Sequence, residues 1–355
     1  MNVVNVKNPT RLQGYPDPGD GLRLHLNENT GGCSPRVLEA IQRVRTTDVS
    51  TYPSYTELVH ACARHFDVDP DWVLLTNGLD EGILMAAVAH IARARVHDAE
   101  TIIPLPAFDP YPNSTAAVGA TAVRVPAQPD FAFQTEAVLA AITPRTRIIF
   151  LNTPNNPTGR LIAIDDLQRI IEAAPHAIVL IDEAYIEFGG TSFLPHLARY
   201  PNVLIGRTFS KAYGLAGMRV GVVIGQPEAL DPVRVVTLPF NINAVAMAAT
   251  LAALQDRDFL PRYAAQVAES RQRLAAACRR LGLEYWDSAA NFLLVRVGDD
   301  VATFVRTLAS RGVHVRDRSK DPSTPGCVRI TAGVLDHTEA AVEALDAAVT
   351  ARAVR

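Results

Sequence analysis

The sequence predicts an α/β protein: a mostly parallel sheet flanked by helices, with a smaller α+β domain and an N-terminal arm. Three observations predict it. Between residues 101 and 224, short and almost wholly apolar runs alternate with helical patterns, as strands buried on both faces of a parallel sheet require. Past Pro239 the texture changes to Ala- and Arg-rich helical stretches interleaved with strands near 291–297, 312–316 and 327–331, an order that suits a separate α+β unit. The first 30 residues are rich in Pro, Gly and Asn, and only Leu22–Leu26 alternates like a strand. The expected division is an arm with part of the small domain over 1–45, a large domain over 46–240 and a small domain over 241–355. A chain of 355 residues is long for one core, which agrees with two domains.

Hydrophobic residues make up 48% and charged ones 20%, the balance of an ordinary soluble globular chain. With 34 basic against 37 acidic residues the formal charge is −3, so neither nucleic acid nor an anionic membrane is expected as partner. No run approaches the roughly 20 apolar residues of a bilayer span, and the first residues lack a signal-peptide pattern. Cys33, Cys62, Cys278 and Cys327 are scattered, so cytoplasmic residence with free thiols is the expectation.

In chain order, Ser34 and Pro35 are suited to the N-cap and first position of a helix, and a second helix is expected over Glu57–Phe66. The strand-like run from Val73 ends at Gly78, before a helix expected over Leu79–Ala94 with Asp80 and Glu81 in its first turn. Its first backbone N–H groups can cradle a phosphate, although an ordinary βα turn with acidic capping reads the same way. Phe108 and Tyr111 lie in a Pro-rich loop after a strand, where an aromatic ring either stacks on a planar ligand or covers core. In the loop 152–159 two prolines and a glycine fix a turn that presents Asn155 and Asn156.

Asp182 directly follows the strand Ile178–Ile181. A carboxylate there can pair with a pyridinium nitrogen, with Tyr185 in reach of the ring's phenolic oxygen; a metal ligand or a helix cap would look alike. Lys211 sits just past the apolar run Val203–Gly206, where ligands gather in parallel sheets. Taken alone such a lysine is usually only solvated. Ser210 beside it and Arg219 eight residues on supply a hydroxyl and a planar cation suited to a phosphate. The set points to pyridoxal phosphate with Lys211 as its Schiff-base lysine. Arg316, Arg318, Lys320 and Arg329 concentrate positive charge in the C-terminal part, a pattern that is often no more than a solvated strand edge.

Asn27-Glu-Asn, Tyr52-Pro, Asn77-Gly-Leu-Asp-Glu-Gly, Asn155-Asn-Pro-Thr-Gly, Asp182-Glu-Ala-Tyr and Ser210-Lys-Ala-Tyr-Gly-Leu-Ala-Gly-Met-Arg resemble, in this order, the fold type I pyridoxal-phosphate-dependent aminotransferases. Val315-Arg-Asp-Arg-Ser-Lys and Gly326-Cys-Val-Arg-Ile-Thr narrow the resemblance to the histidinol-phosphate aminotransferases. The resemblance implies that Lys211 holds the cofactor and shuttles the proton, Asp182 binds the ring nitrogen, Asn156 and Tyr185 the 3-oxygen, and Phe108 the ring face. It places the cofactor phosphate on Ser210, Arg219 and the backbone of Leu79 and Asp80. It also implies a homodimer in which Tyr52 reaches the partner's site. Arg316 and Arg329 would grip the substrate's phosphate with Tyr15, Asn27 and Asn156 as helpers, and 2-oxoglutarate with glutamate would complete the exchange. An aromatic amino-acid aminotransferase shares every cofactor residue, and a decarboxylase of a phosphorylated amino acid shares the scaffold. A non-enzymatic regulator would bring a DNA-binding domain, for which the short arm has no room. Phe108 stands where many relatives have Tyr, and Thr30–Pro35 replaces a Pro-Tyr-Gly run.

Overall fold

The computed structural model describes residues 19–93 and 98–353. Its twelve strands are β1 (Leu22–Leu24), β2 (Val73–Thr76), β3 (Glu100–Pro104), β4 (Thr121–Val125), β5 (Thr146–Asn152), β6 (Ile178–Asp182), β7 (Val203–Thr208), β8 (Gly221–Gly225), β9 (Glu284–Trp286), β10 (Phe292–Arg296), β11 (Val313–Asp317) and β12 (Cys327–Thr331).

Seven of them form one sheet in the order β2-β8-β7-β6-β5-β3-β4. The pairs from β7 through β4 are parallel, whereas β8 runs antiparallel to both of its neighbours. This is the mostly parallel sheet that the apolar runs predict. Ile148, Ile149, Phe150 and Leu151 are at most 1% exposed, because helices cover both faces and leave no polar side for alternation to show. Each such side chain contributes about 1.5–3 kcal/mol on burial. The helix Ile164–Ala173 turns Leu167, Ile170 and Ile171 inward, three and four residues apart, and its remaining faces meet solvent.

The second sheet has the order β1-β11-β12-β10-β9, with β1 parallel to β11 and the other pairs antiparallel. The helices Phe259–Arg280, Val301–Ala309 and Leu335–Ala353 belong to this part of the chain. The Ala-rich helix Ala244–Gln255 packs against helices Pro35–Gln42 and Thr56–Phe66, its small side chains allowing close approach. Asn243 caps it by accepting from the Ala246 N–H at 2.8 Å.

Several elements differ from the sequence expectation; Tyr111, expected in a loop, lies on the helix Pro110–Ala117. The N-terminal strand stops at Leu24 instead of Leu26, and Asn27 turns left-handed at φ 56°. The backbone leaves the sheet there because the carbonyls of His25 and Leu26 accept from Arg329 and Lys211. The helix from Leu79 ends its regular α turns at Ala87 and continues as a wider turn over Val88–Ala92, in which Arg93 N–H bonds the Val88 carbonyl. The three-residue edge strand β9 was not expected, its signal being too short to stand out. No helix among the described residues is long and apolar enough to cross a membrane.

Candidate active site

Parallel pairing decides where the polar residues meet. Asn152, Asp182 and Gly206 are register partners at the carboxyl ends of β5, β6 and β7. The segments that follow therefore emerge along one sheet edge, where open α/β sheets bind ligands. They line a cleft of about 540 Å3, within the range of small-molecule sites, whose opposite wall is the second sheet.

At its floor lies Asp182, 2% exposed. One carboxylate oxygen accepts from the Tyr111 hydroxyl at 2.6 Å and the other from the Ala184 N–H at 2.9 Å. Burial raises the acid to about 6, and these two hydrogen bonds work against that rise. Lys211 Nζ projects into the same cleft and donates to the Leu26 carbonyl at 2.8 Å. Burial, aided by the positive charge of Arg329, lowers its ammonium to about 8, so a useful fraction is neutral near physiological pH. The Tyr185 ring lies beside it, 6.0 Å from Nζ to the centroid, and its hydroxyl accepts from Asn27 Nδ2 at 3.0 Å. Burial raises the Tyr185 phenol, and Arg329 opposes this.

One end of the cleft is built around the start of the helix Leu79–Ala87. Gly78 has φ 74° and no side-chain cap, which leaves the first helical N–H groups available. The left-handed φ favours glycine, and a Cβ on Gly78 would meet the Arg219 guanidinium and push it aside. Arg219 donates to Ser210 Oγ at 3.2 Å and to Asp80 Oδ2 at 3.3 Å. Phe108 lines the cleft and meets Tyr111 edge-on at 5.8 Å.

The other end carries arginines. Arg316 on β11 and Arg329 on β12 are register partners, so their side chains leave the same face of the sheet. Both line the cleft. Arg329 donates to Asn156 Oδ1 and, at 2.8 Å, to the His25 carbonyl, and its guanidinium lies 5.3 Å over the Phe292 ring.

The structure thus brings together Leu79, Asp80, Phe108, Asn156, Asp182, Tyr185, Ser210, Lys211, Arg219, Arg316 and Arg329, with Asn27 reaching in through Tyr185. Tyr52 is not among them: it is 80% exposed and stacks on Phe240 at 4.3 Å. Tyr15 lies outside the described residues. Sequence reasoning missed the Tyr111 bond to Asp182, the presence of Glu28 in the wall, and Arg318 as a separate cleft residue. A buried amine, a buried carboxylate and a helix start backed by Ser210 and Arg219 fit a phosphorylated aldehyde with a ring nitrogen.

Comparison with known proteins agrees with this chemistry. Over 344 residues the chain is 38% identical to histidinol-phosphate aminotransferase 2 of Pseudomonas fluorescens, covering 95% of the chain and 91% of that relative. It is 35% identical over 348 residues to the aromatic amino acid aminotransferase of Cutibacterium acnes, covering 96% of each. The solved structure of histidinol-phosphate aminotransferase from Sinorhizobium meliloti in complex with pyridoxal-5'-phosphate superposes with a TM-score of 0.84 at 29% identity, covering 94% of the chain and 92% of that structure. Residues 19–345 match the family described as aminotransferase class I and II. With a sheet edge that gathers an amine, a carboxylate and a phosphate cradle, the chain belongs to the class I and II aminotransferases.

Proposed function

We propose that the protein is the pyridoxal-phosphate-dependent aminotransferase that moves the amino group of histidinol phosphate to 2-oxoglutarate. The observation that carries the choice of donor is the in-register pair Arg316 and Arg329, facing the same cleft as Lys211 and Asp182. Like charges directly opposite one another on neighbouring strands repel, so the pair is stabilised when an anion lies between them. A guanidinium fork fits a phosphate ester and a carboxylate alike, and the two half-reactions require both.

Pyridoxal phosphate supplies a protonated ring that takes up electron density when a bond at the substrate's amino-bearing carbon breaks. The residues have separable tasks. Lys211 Nζ would be the amine that holds the cofactor, and it would also be the group that moves a proton at the substrate carbon. The Asp182 carboxylate keeps a proton on the ring nitrogen. Ser210, Arg219 and the backbone of Leu79 and Asp80 bind the cofactor phosphate, Phe108 covers the ring face, and Asn156 and Tyr185 orient its 3-oxygen. Asn27 positions Tyr185, and Tyr15 completes the substrate grip.

A homodimer in the cytoplasm is part of this reading. Val49, Tyr52, Val235, Leu238 and Phe240 are large apolar side chains exposed in the single chain, which supports a partner surface there and lets Tyr52 serve the neighbouring site.

A second reading, an aromatic amino-acid aminotransferase, is favoured by the Cutibacterium acnes relative. The deciding experiment measures kcat/KM for histidinol phosphate, phenylalanine and tyrosine with 2-oxoglutarate. An advantage of about tenfold or more for histidinol phosphate supports the first reading. Equal or greater values for the aromatic amino acids support the second. Lys211→Ala is expected to lose both turnover and the borohydride-fixable attachment of the cofactor.

A further inference from the structure

Arg318 lies one residue beyond β11 and lines the same cleft as Arg316 and Arg329. Its backbone is fixed on both sides: the N–H donates to the Cys327 carbonyl at 3.0 Å, and the carbonyl accepts from Thr324 Oγ1 at 2.9 Å. The side chain is 10% exposed, and Nη2 donates to Asp321 Oδ2 at 2.9 Å. As a residue of the cleft wall, Arg318 brings a planar set of guanidinium donors to the same end as Arg316 and Arg329.

We propose that Arg318 is a specificity residue that gives the anion end of the cleft its preference for a phosphate monoester over a carboxylate, by donating a guanidinium N–H to a phosphate oxygen. A carboxylate offers two oxygens in one plane and a single charge. A phosphate monoester offers three terminal oxygens in a tripod and close to two charges at pH 7. The forks of Arg316 and Arg329, side by side on adjacent strands, suit two of those oxygens. The third needs a donor from another direction, and Arg318 is anchored just beyond Arg316. Because Asp321 already balances part of its charge, Arg318 acts through a directed N–H more than through bare attraction. This inference rests on the aminotransferase reading and deepens it by assigning the discrimination to one side chain.

The test compares holoenzyme of the wild type with Arg318→Gln, Arg318→Lys and Asp321→Asn. Expected for Arg318→Gln is a drop of about tenfold in the ratio of kcat/KM for histidinol phosphate to that for phenylalanine, expressed in KM more than in kcat. Arg318→Lys keeps the charge but not the planar guanidinium donors, and is expected to leave the ratio low. Asp321→Asn removes the charge paired with Arg318 and is expected to keep the ratio high. Equal losses for both donors, or an Asp321→Asn enzyme that behaves like Arg318→Gln, would show a structural role and overturn the proposal. Binding of inorganic phosphate and of acetate to the holoenzymes, measured by calorimetry, decides the matter without turnover. Phosphate affinity should fall about tenfold in Arg318→Gln while acetate affinity holds, and parallel changes refute the proposal. If the wild type transfers no amino group from either donor, the aminotransferase reading fails, and the two binding measurements still judge Arg318.

Discussion

Tyr111 donates a 2.6 Å hydrogen bond to Asp182 from a side chain only 2% exposed, and its ring stacks on Phe150 at 4.9 Å. The carboxylate at the floor of the cleft is thereby held by a group that packing keeps from rotating away. Burial pushes the Tyr111 phenol well above its usual value, so it remains a donor across the working pH range.

Removing that donor has a predictable sign. Tyr111→Phe takes away a hydrogen bond to the charged form of Asp182 and so raises an acid that already stands at about 6. Carboxyl chemical shifts of Asp182 in the cofactor-free protein are expected to titrate higher than in the wild type. An unmoved titration would disconnect Tyr111 from the carboxylate.

Asp182 also gives the cofactor-free protein a pH-dependent stability. Its folded value of about 6 lies above the ordinary 3.8, so its contribution favours folding fully below about pH 4 and is lost as pH rises through 6. A gap of that size corresponds to about 3 kcal/mol. Asp182→Asn is therefore expected to gain stability relative to the wild type between pH 4 and pH 8, by roughly 1–3 kcal/mol. Denaturant midpoints at the two pH values check this, and parallel midpoints would contradict it.

Arg329→Ala leaves Asn156 and the His25 carbonyl without their donor and removes half of the opposed arginine pair. KM is expected to rise about tenfold or more for both the phosphorylated donor and 2-oxoglutarate. Steady-state kinetics with each substrate varied in turn measures it; a change confined to kcat would place the anion elsewhere.

Gly78→Ala forces a Cβ against Arg219 at a backbone angle of φ 74°. The strained turn costs about 1 kcal/mol, and displacement of the guanidinium is expected to weaken cofactor binding about tenfold. Fluorescence titration of the cofactor-free protein reads that loss directly. Affinity equal to that of the wild type would mean that Arg219 does not depend on this turn.

Much of this site is readable from residues standing just after apolar runs. Asp182 ends one buried strand and Lys211 stands just past another, and the parallel register carries them to the same edge. What stays hidden involves partners distant in sequence or lacking a local signal. Tyr111 and Asp182 are 71 residues apart, and the tyrosine reads only as one more loop aromatic. Arg318 reads as one charge among several, since nothing in a basic run tells which side chain turns inward. The antiparallel setting of β8 is equally silent, because a strand buried on both faces looks the same in either direction.

The three residues that follow the short strand β1, His25, Leu26 and Asn27, contact Arg329, Lys211 and Tyr185 through backbone or side-chain atoms. Proteolytic trimming through Asn27 would remove all three contacts together with strand β1 of the second sheet, while leaving the seven-stranded sheet in place. Intact mass should therefore be verified before an inactive batch is blamed on the cofactor site.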